Sequence, residues 1–216
     1  MKKALLSAVL LIGTVCSVLA QTDAKAKAIL AEVSKKYKAY DAVKTDFTLT
    51  IENPQLKSRR TENGILYARS KSNKYKIVTP AQELYSDGRS QWTFLKEDKE
   101  VQLSNVDNSG EALNPAKIFT IHEKGFKYIY TGDVKVNGRV QHVIDLTPAA
   151  GNKSFFKVRL NIDKISKRVS KAIIFDKNGS RYTYTIRSFT PNVKVSDAFF
   201  AYDPKKHPGV EVVDLR

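Results

Sequence analysis

The sequence predicts a mostly β protein built on one curved antiparallel sheet, with a helix at its start and a short helix inserted late. After residue 41, apolar and polar residues alternate along most of the chain. Tight-turn dipeptides separate these runs, and one early stretch has the spacing of a helix. We count about ten strand candidates between Thr45 and Phe200. No linker or repeat divides the chain, which predicts one domain.

The first 20 residues have the pattern of a secretory signal peptide. Lys2-Lys3 precedes an apolar run, and Val18 and Ala20 form a cleavage motif. The run is shorter than the ~20 apolar residues that a spanning helix needs. We therefore predict cleavage after residue 20 and a single secreted mature domain at 21–216. A membrane anchor and lipidation of Cys16, the sole cysteine, are the alternatives.

The early helix is predicted over residues 23–40. Apolar side chains recur there at every third or fourth position, mostly with lysines between them. Thr22 or Asp23 can cap its first N–H groups. One face of this helix is apolar, so it must pack against another element. The apolar positions are Ala26, Ile29, Leu30, Val33, Tyr37 and Tyr40.

The strand-like runs are bounded by polar turns. Asp87-Gly88, Asn137-Gly138 and Asn178-Gly179 suit hairpins whose central residues have positive φ. Leu113 to Ile121 reads as the short inserted helix. One wet face per strand argues for antiparallel pairing. The clearest alternating sets are Phe47, Leu49 and Ile51, then Phe156, Val158, Leu160 and Ile162, then Tyr182, Tyr184 and Ile186.

No catalytic or metal-binding motif is recognisable in the sequence. His122, His142 and His207 stand far apart, and His142 shares strand parity with apolar neighbours, as a hydrogen-bonded core histidine would. Phosphate-binding and nucleophile motifs are absent. We therefore expect no enzyme activity, no metal and no cofactor.

The chain is strongly basic, with a formal net charge of +15. Its lysines and arginines are spread among acidic residues rather than concentrated in one basic segment. We expect a solvated basic surface and no nucleic-acid partner. A weak attraction to an anionic membrane or an acidic partner is the alternative.

Short motifs along the mature chain resemble those of the periplasmic outer-membrane lipoprotein carrier family, the LolA-like proteins. The most specific is Ser86-Asp87-Gly88 followed by Trp92, similar to that family's Ser-Asp-Gly-x-x-x-Trp hairpin. The others run in the same order as in the family. They are Val43-Lys44-Thr45-Asp46-Phe47, Gly64-Ile65-Leu66-Tyr67, Asn114-Pro115 with Ile118-Phe119, Asp145-Leu146-Thr147-Pro148, and Pro208-Gly209-Val210-Glu211-Val212.

This resemblance implies a single incomplete antiparallel β-barrel, closed by the N-terminal helix and by a lid helix. It also implies an apolar cavity for the acyl chains of lipoproteins, which the family carries from the inner to the outer membrane. The implied partners are acylated lipoproteins, an inner-membrane lipoprotein-releasing transporter and an outer-membrane receptor. The protein is then expected to be a monomer without stable membrane insertion.

One family feature is missing from the sequence. An Arg-Pro pair follows the family's Gly-x-Leu-aromatic strand, and its arginine hydrogen-bonds the lid. Ser70-Lys71 occupies that place here, and Arg69 should point to the opposite face by strand parity. The lid-closing role therefore does not transfer to this chain.

The candidate cavity residues are aromatic and aliphatic positions of alternating strands. For each of them, ordinary core packing is the alternative. Another lipid, a glycolipid or a partner protein bound in the same cavity also remains open. The predicted wall is Phe47, Leu49, Tyr67, Tyr75, Ile77, Trp92, Phe156, Val158, Tyr182 and Tyr184, and the predicted lid residues are Leu113, Ile118 and Phe119.

Overall fold

Twelve strands join one open sheet in the computed structural model, which describes residues 24–107, 117–123, 125–151 and 153–216. The strand order is β12-β6-β5-β4-β3-β2-β1-β11-β10-β9-β8-β7. The strands are β1 (Val43–Asn53), β2 (Ser58–Arg69), β3 (Lys74–Val78), β4 (Gln82–Ser86), β5 (Ser90–Leu95), β6 (Glu100–Asn105), β7 (Phe126–Val136), β8 (Arg139–Pro148), β9 (Phe155–Asp163), β10 (Val169–Asp176), β11 (Arg181–Pro191) and β12 (Glu211–Asp214).

The predicted antiparallel sheet is confirmed. Eleven strands lie between Val43 and Pro191, all paired antiparallel. The sequence prediction missed β12, which lies beyond the last strand candidate and pairs in parallel with β6 at the sheet edge. Four residues are too few for alternation to mark a strand.

The predicted helix spans 24–38 within the described residues and is labelled α1. Its apolar side, including Ala26, Leu30 and Val33, is buried against one face of the sheet. Lys36 Nζ donates to the Ser166 carbonyl at 2.8 Å, and Lys167 pairs with Glu32 at 3.2 Å. These contacts fix α1 to the β9–β10 loop. We call the sheet face under α1 the helix face and the opposite one the outer face.

The predicted inserted helix is only partly within the described chain. Leu113 and Asn114-Pro115 lie outside the described residues, as do the predicted signal peptide and helix caps. Residues 117–123 form turns that end in a 3-10 helix at Ile121–Glu123 instead of an α-helix. We call residues 117–123 the lid segment.

The three predicted tight turns are confirmed, and they connect consecutive strands. Asn137 and Gly138 have φ of 49° and 77° between β7 and β8, as a two-residue hairpin requires. The turn at Gly88 joins β4 to β5, and that at Gly179 joins β10 to β11. Turn chemistry therefore sets the register of the sheet.

Apolar side chains pack on both faces of the sheet. The inner core lies on the helix face and includes Phe47, Leu66, Ile144 and Leu160. A smaller outer cluster lies over β4–β6 on the opposite face, beneath the segment 197–210. It consists of Tyr85, Phe94, Val101 and Tyr202, with Trp92 and Val210 packed against them.

Candidate ligand-binding cavity

An apolar cavity of about 210 Å³ lies between the helix face and the lid segment. Strands β1, β2, β3, β9, β10 and β11 form its wall. Its boundary residues are Thr45, Phe47, Leu66, Ile77, Ile118, Phe119, Ser154, Phe155, Ile174, Asp176, Tyr182, Tyr184 and Ile186.

The aromatic part of the cavity wall comes from alternate residues of β1 and β11. Phe47 and Tyr184 face inward from these neighbouring strands, with ring centroids 5.7 Å apart. Phe47 lies across Gly64 of β2, where an added Cβ would come within 2.4 Å of the ring. Glycine at this position therefore makes room for the phenyl ring beside the cavity.

The lid segment closes the cavity with two apolar side chains. Ile118 and Phe119 are 8% and 4% exposed and line the cavity. The Phe119 ring lies 4.4 Å from that of Tyr37 on α1, and 6.0 Å from Phe189 at a right angle. These rings belong to the inner core, so the lid segment occupies space that the wall alone would leave empty.

Polar contacts attach the end of the lid segment to α1. His122 Nε2 lies 3.0 Å from Ser34 Oγ, and Glu123 pairs with Lys38 at 2.6 Å. His122 is buried, and this desolvation lowers its pKa, while the Glu123 carboxylate acts in the opposite direction with a smaller effect.

Few polar groups face the cavity. Thr45 is fully buried, and its Oγ1 has no hydrogen-bond partner. Burial raises the pKa of Tyr184 to about 12, with smaller effects from Tyr182 and Glu62. Ser154 and Asp176 line the end near the β8–β9 and β10–β11 turns. The cavity suits a hydrocarbon ligand with a polar group at that end.

Six predicted residues lie together along this cavity: Phe47, Ile77, Tyr182, Tyr184, Ile118 and Phe119. Three others are buried in the surrounding inner core without lining it, namely Leu49, Tyr75 and Val158. Leu113 lies outside the described residues.

Tyr67 and Trp92 require correction, because both lie on the outer face. Tyr67 packs against Phe199 with ring centroids 4.8 Å apart, and Trp92 packs on the outer cluster. Leu66 lines the cavity from β2 instead. The segment 197–210 covers the outer face here, so the aromatic residues of β5, Trp92 and Phe94, point outward, and alternation alone does not say which face of a strand is the inner one.

The inward direction expected for Phe156 is also corrected. Phe155 pairs with Asp176 and Lys157 with Phe175, which leaves Phe156 as the extra residue of a β-bulge. Phe155 is 3% exposed and lines the cavity, whereas Phe156 is 51% exposed and packs on Phe175 of the outer face.

Arg69 points to the outer face, as strand parity predicts. Its guanidinium donates to Asp197, to Asp41 at 3.2 Å and to the Val195 carbonyl at 3.0 Å. Through Val195 and Asp197 it fixes residues 195–210, which we call the C-terminal segment, to the face of the sheet opposite the lid segment. The polar contacts between the lid segment and α1 come from His122 and Glu123.

Sequence reasoning missed seven lining residues. Ile186 has the parity of the predicted Tyr182 and Tyr184 and was identifiable from the alternation, whereas Leu66 has the parity opposite to that of the predicted Tyr67. The bulge hides Phe155, and Ser154 and Asp176 come from turn regions without a pattern. Thr45 and Ile174 are not aromatic and did not stand out from their neighbours in the sequence. The seven missed residues are Thr45, Leu66, Ser154, Phe155, Ile174, Asp176 and Ile186.

The buried histidines have ordinary structural partners. His142 Nδ1 lies 2.6 Å from Asp133, which also accepts from Tyr130 and Lys164. Within the described ranges, no group of three or more acidic, histidine or cysteine residues is arranged to hold a metal ion. The same ranges contain no helix with the length and apolarity needed to cross a bilayer.

An open sheet with an apolar cavity under the lid segment is an arrangement that can hold an apolar ligand. The family model for the outer membrane lipoprotein carrier protein LolA matches residues 38–203. The chain belongs to this family, which is one of carrier proteins. No curated protein sequence matches the chain.

The solved structures that the chain resembles have low sequence identity to it. An uncharacterized conserved protein from Thermus thermophilus has a TM-score of 0.55 at 14% identity, covering 88% of this chain and 99% of its own. A DUF1329 family protein from Desulfovibrio piger has a TM-score of 0.52 at 13% identity, covering 84% and 98%. A LolA superfamily protein from Nitrosomonas europaea has a TM-score of 0.47 at 14% identity, covering 82% and 98%.

Proposed function

We propose that this protein is a periplasmic carrier that binds lipoprotein acyl chains in the cavity and shuttles lipoproteins from the inner to the outer membrane. The partly empty apolar cavity, lined by the lid residues Ile118 and Phe119, is the observation that carries the proposal. Membership of the lipoprotein carrier family supports lipoprotein acyl chains as the ligand.

Binding in this cavity requires the lid segment to move. The volume of about 210 Å³ is below the roughly 300–1,000 Å³ of most ligand pockets. Ile118 and Phe119 must therefore leave the wall before acyl chains enter. Each buried methylene contributes about 0.8 kcal/mol, and displacement of the lid residues offsets part of that gain. A carrier needs this reduced affinity in order to release its cargo.

The proposal assigns a binding and transport role without catalysis. An inner-membrane lipoprotein-releasing transporter would load the cavity, and an outer-membrane receptor would accept the cargo. The predicted signal peptide supplies the route to the periplasm.

Native mass spectrometry of the protein purified from a bacterial envelope tests the proposal. The bound material is then released and identified. A triacylated lipoprotein or its acylated peptide is the expected ligand. A free lipid or glycolipid would replace the cargo while keeping the cavity assignment. An empty protein that takes up no acylated peptide in vitro would refute the carrier function.

A further inference from the structure

Three loops meet at the end of the sheet where Ser154 and Asp176 line the cavity. Asn53 Nδ2 of β1 donates to Ser180 Oγ at 3.2 Å. The Lys177 N–H donates to the Ser154 carbonyl at 2.9 Å. A Cβ at Gly179 would contact the side chain of Gln55 at 3.2 Å, so these turns are closely packed. We call residues 53–59, 153–157 and 175–181 the tip.

Two large apolar side chains of the tip are exposed. Leu56 is 75% exposed and Phe156 is 51% exposed. Asn53 Oδ1 accepts hydrogen bonds from the N–H groups of Gln55 and Leu56, both at 3.1 Å, which fixes the turn carrying Leu56. The β-bulge and the Phe175 ring, 6.0 Å away, hold Phe156 outward. Both side chains are therefore presented by ordered backbone.

Basic residues outnumber acidic ones in the tip, where Arg59 pairs with Glu52 at 3.4 Å and Lys157 lies 3.8 Å from Asp145. The tip contains six basic residues and one acidic residue, Asp176, which lines the cavity. Lys157 Nζ lies 4.2 Å and the Arg181 guanidinium 5.7 Å from the centre of the Phe175 ring. The basic residues are Lys57, Arg59, Lys153, Lys157, Lys177 and Arg181.

We propose that the tip docks on the surface of an anionic phospholipid bilayer. Leu56 and Phe156 enter the interface between headgroups and acyl chains, while the surrounding lysines and arginines approach lipid phosphates. The two apolar side chains come from separate loops, and a fluid bilayer accepts both without a matching surface. Docking brings the Ser154–Asp176 end of the cavity next to the membrane. This surface acts whichever ligand the cavity holds, and it goes beyond the proposed carrier function.

Vesicle flotation tests the docking surface directly. Protein produced from the full chain and purified from the envelope is mixed, without cargo, with equimolar phosphatidylglycerol–phosphatidylethanolamine vesicles or with phosphatidylcholine vesicles. The Leu56→Ser/Phe156→Ser double variant should bind the anionic vesicles at least about tenfold more weakly. Ile165→Ser is the matched control, because Ile165 is 86% exposed in the β9–β10 loop at the opposite end of the sheet.

A second pair of variants tests whether the basic residues of the tip contribute to membrane binding. Lys57→Glu/Lys177→Glu should weaken binding to anionic vesicles by more than about tenfold, since each basic residue near such a surface contributes about 1 kcal/mol. Lys135→Glu/Lys194→Glu makes the same charge change near the opposite end and should bind almost as wild type does. All variants share one N-terminus, so any contribution from residues 1–20 cancels.

Three results would overturn the docking surface. The tip variants could bind as tightly as their controls, or wild type could bind phosphatidylcholine equally well. The wild-type protein could also fail to bind anionic vesicles. In that case an acidic surface of a partner protein would be the remaining binding partner that fits the tip. Loading of acylated peptide is measured in detergent-free solution without vesicles, so loss of docking and loss of cargo binding are distinguishable.

Discussion

The two apolar regions of the sheet differ in how completely their covering segments fill them. Over β4–β6, the C-terminal segment buries Phe94 and Tyr202 in the outer cluster, and Arg69 fixes that segment to the sheet. On the helix face, the lid segment leaves about 210 Å³ unfilled. Its polar contacts to α1 are at one end, through His122 and Glu123. The same sheet therefore supports a filled core on one side and a partly empty cavity on the other.

Removing an aromatic ring from the filled region should have the largest effect on stability. Phe94→Ala leaves a void in the outer cluster, where Phe94 is 8% exposed. We expect the free energy of unfolding to fall by about 3–5 kcal/mol, measured by urea denaturation. Loading of acylated peptide by the folded fraction should stay at the wild-type level. Impaired loading would show that the two regions are coupled.

Filling the cavity should reduce ligand loading and leave stability almost unchanged. Ile174→Trp places an indole in the cavity and should weaken loading more than about 30-fold, roughly 2 kcal/mol. Stability should change little, because the ring occupies space that is already empty. Ile173→Trp is the matched control, since Ile173 is the next residue of β10 and lies on the outer face. Equal loading by both variants would contradict the cavity assignment.

Acidification should loosen the lid attachment without affecting the outer cluster. Because burial lowers the pKa of His122 below its usual value near 6.5, the unfolded chain binds more protons than the folded one below that pH. Stability is therefore retained above about pH 6.5 and falls below it, by up to about 1.4 kcal/mol per pH unit. His122→Asn should remove this fall in urea midpoints measured across the pH range.

The control for acidification is His207→Asn. His207 stacks on Tyr202 in the outer region, with ring centroids 5.0 Å apart, so its replacement should leave the fall in stability at low pH intact. A His122→Asn protein that loses as much stability on acidification as wild type would assign the effect to another group.

The smallest expected effect concerns one hydroxyl in the cavity wall. Thr45 Oγ1 is buried without a partner, so the isosteric Thr45→Val should raise the free energy of unfolding by about 1 kcal/mol. Thr48 lies on the outer face of the same strand and donates to Asn63 at 2.8 Å. Thr48→Val should not stabilise the protein. A stability loss in Thr45→Val, measured by chemical denaturation, would indicate that the hydroxyl has an ordered partner.

The sequence predicted side-chain directions correctly in strands that have one solvent-exposed face. Alternation along β1 and β11 gave the correct direction for Phe47, Tyr182 and Tyr184, and positive-φ turn residues located three hairpins. Alternation failed for Tyr67 and Trp92, because the C-terminal segment buries a second apolar face that has no marker in the local pattern. The bulge at Phe156 likewise depends on pairing with β10, which a single strand does not encode. The roles of these residues in ligand binding stay predictions.

The central strand pair of the sheet has a consequence for when the protein can work. β1 and β11 are neighbours, with Val43 paired to Pro191, almost the whole described chain apart. The hairpins on either side are local and close at low entropic cost, whereas this pair closes a very long loop. Phe47 and Leu66 come from one side of the pair, and Phe155, Ile174 and Tyr184 from the other. The cavity wall is therefore incomplete until β11 has been synthesised and has paired with β1.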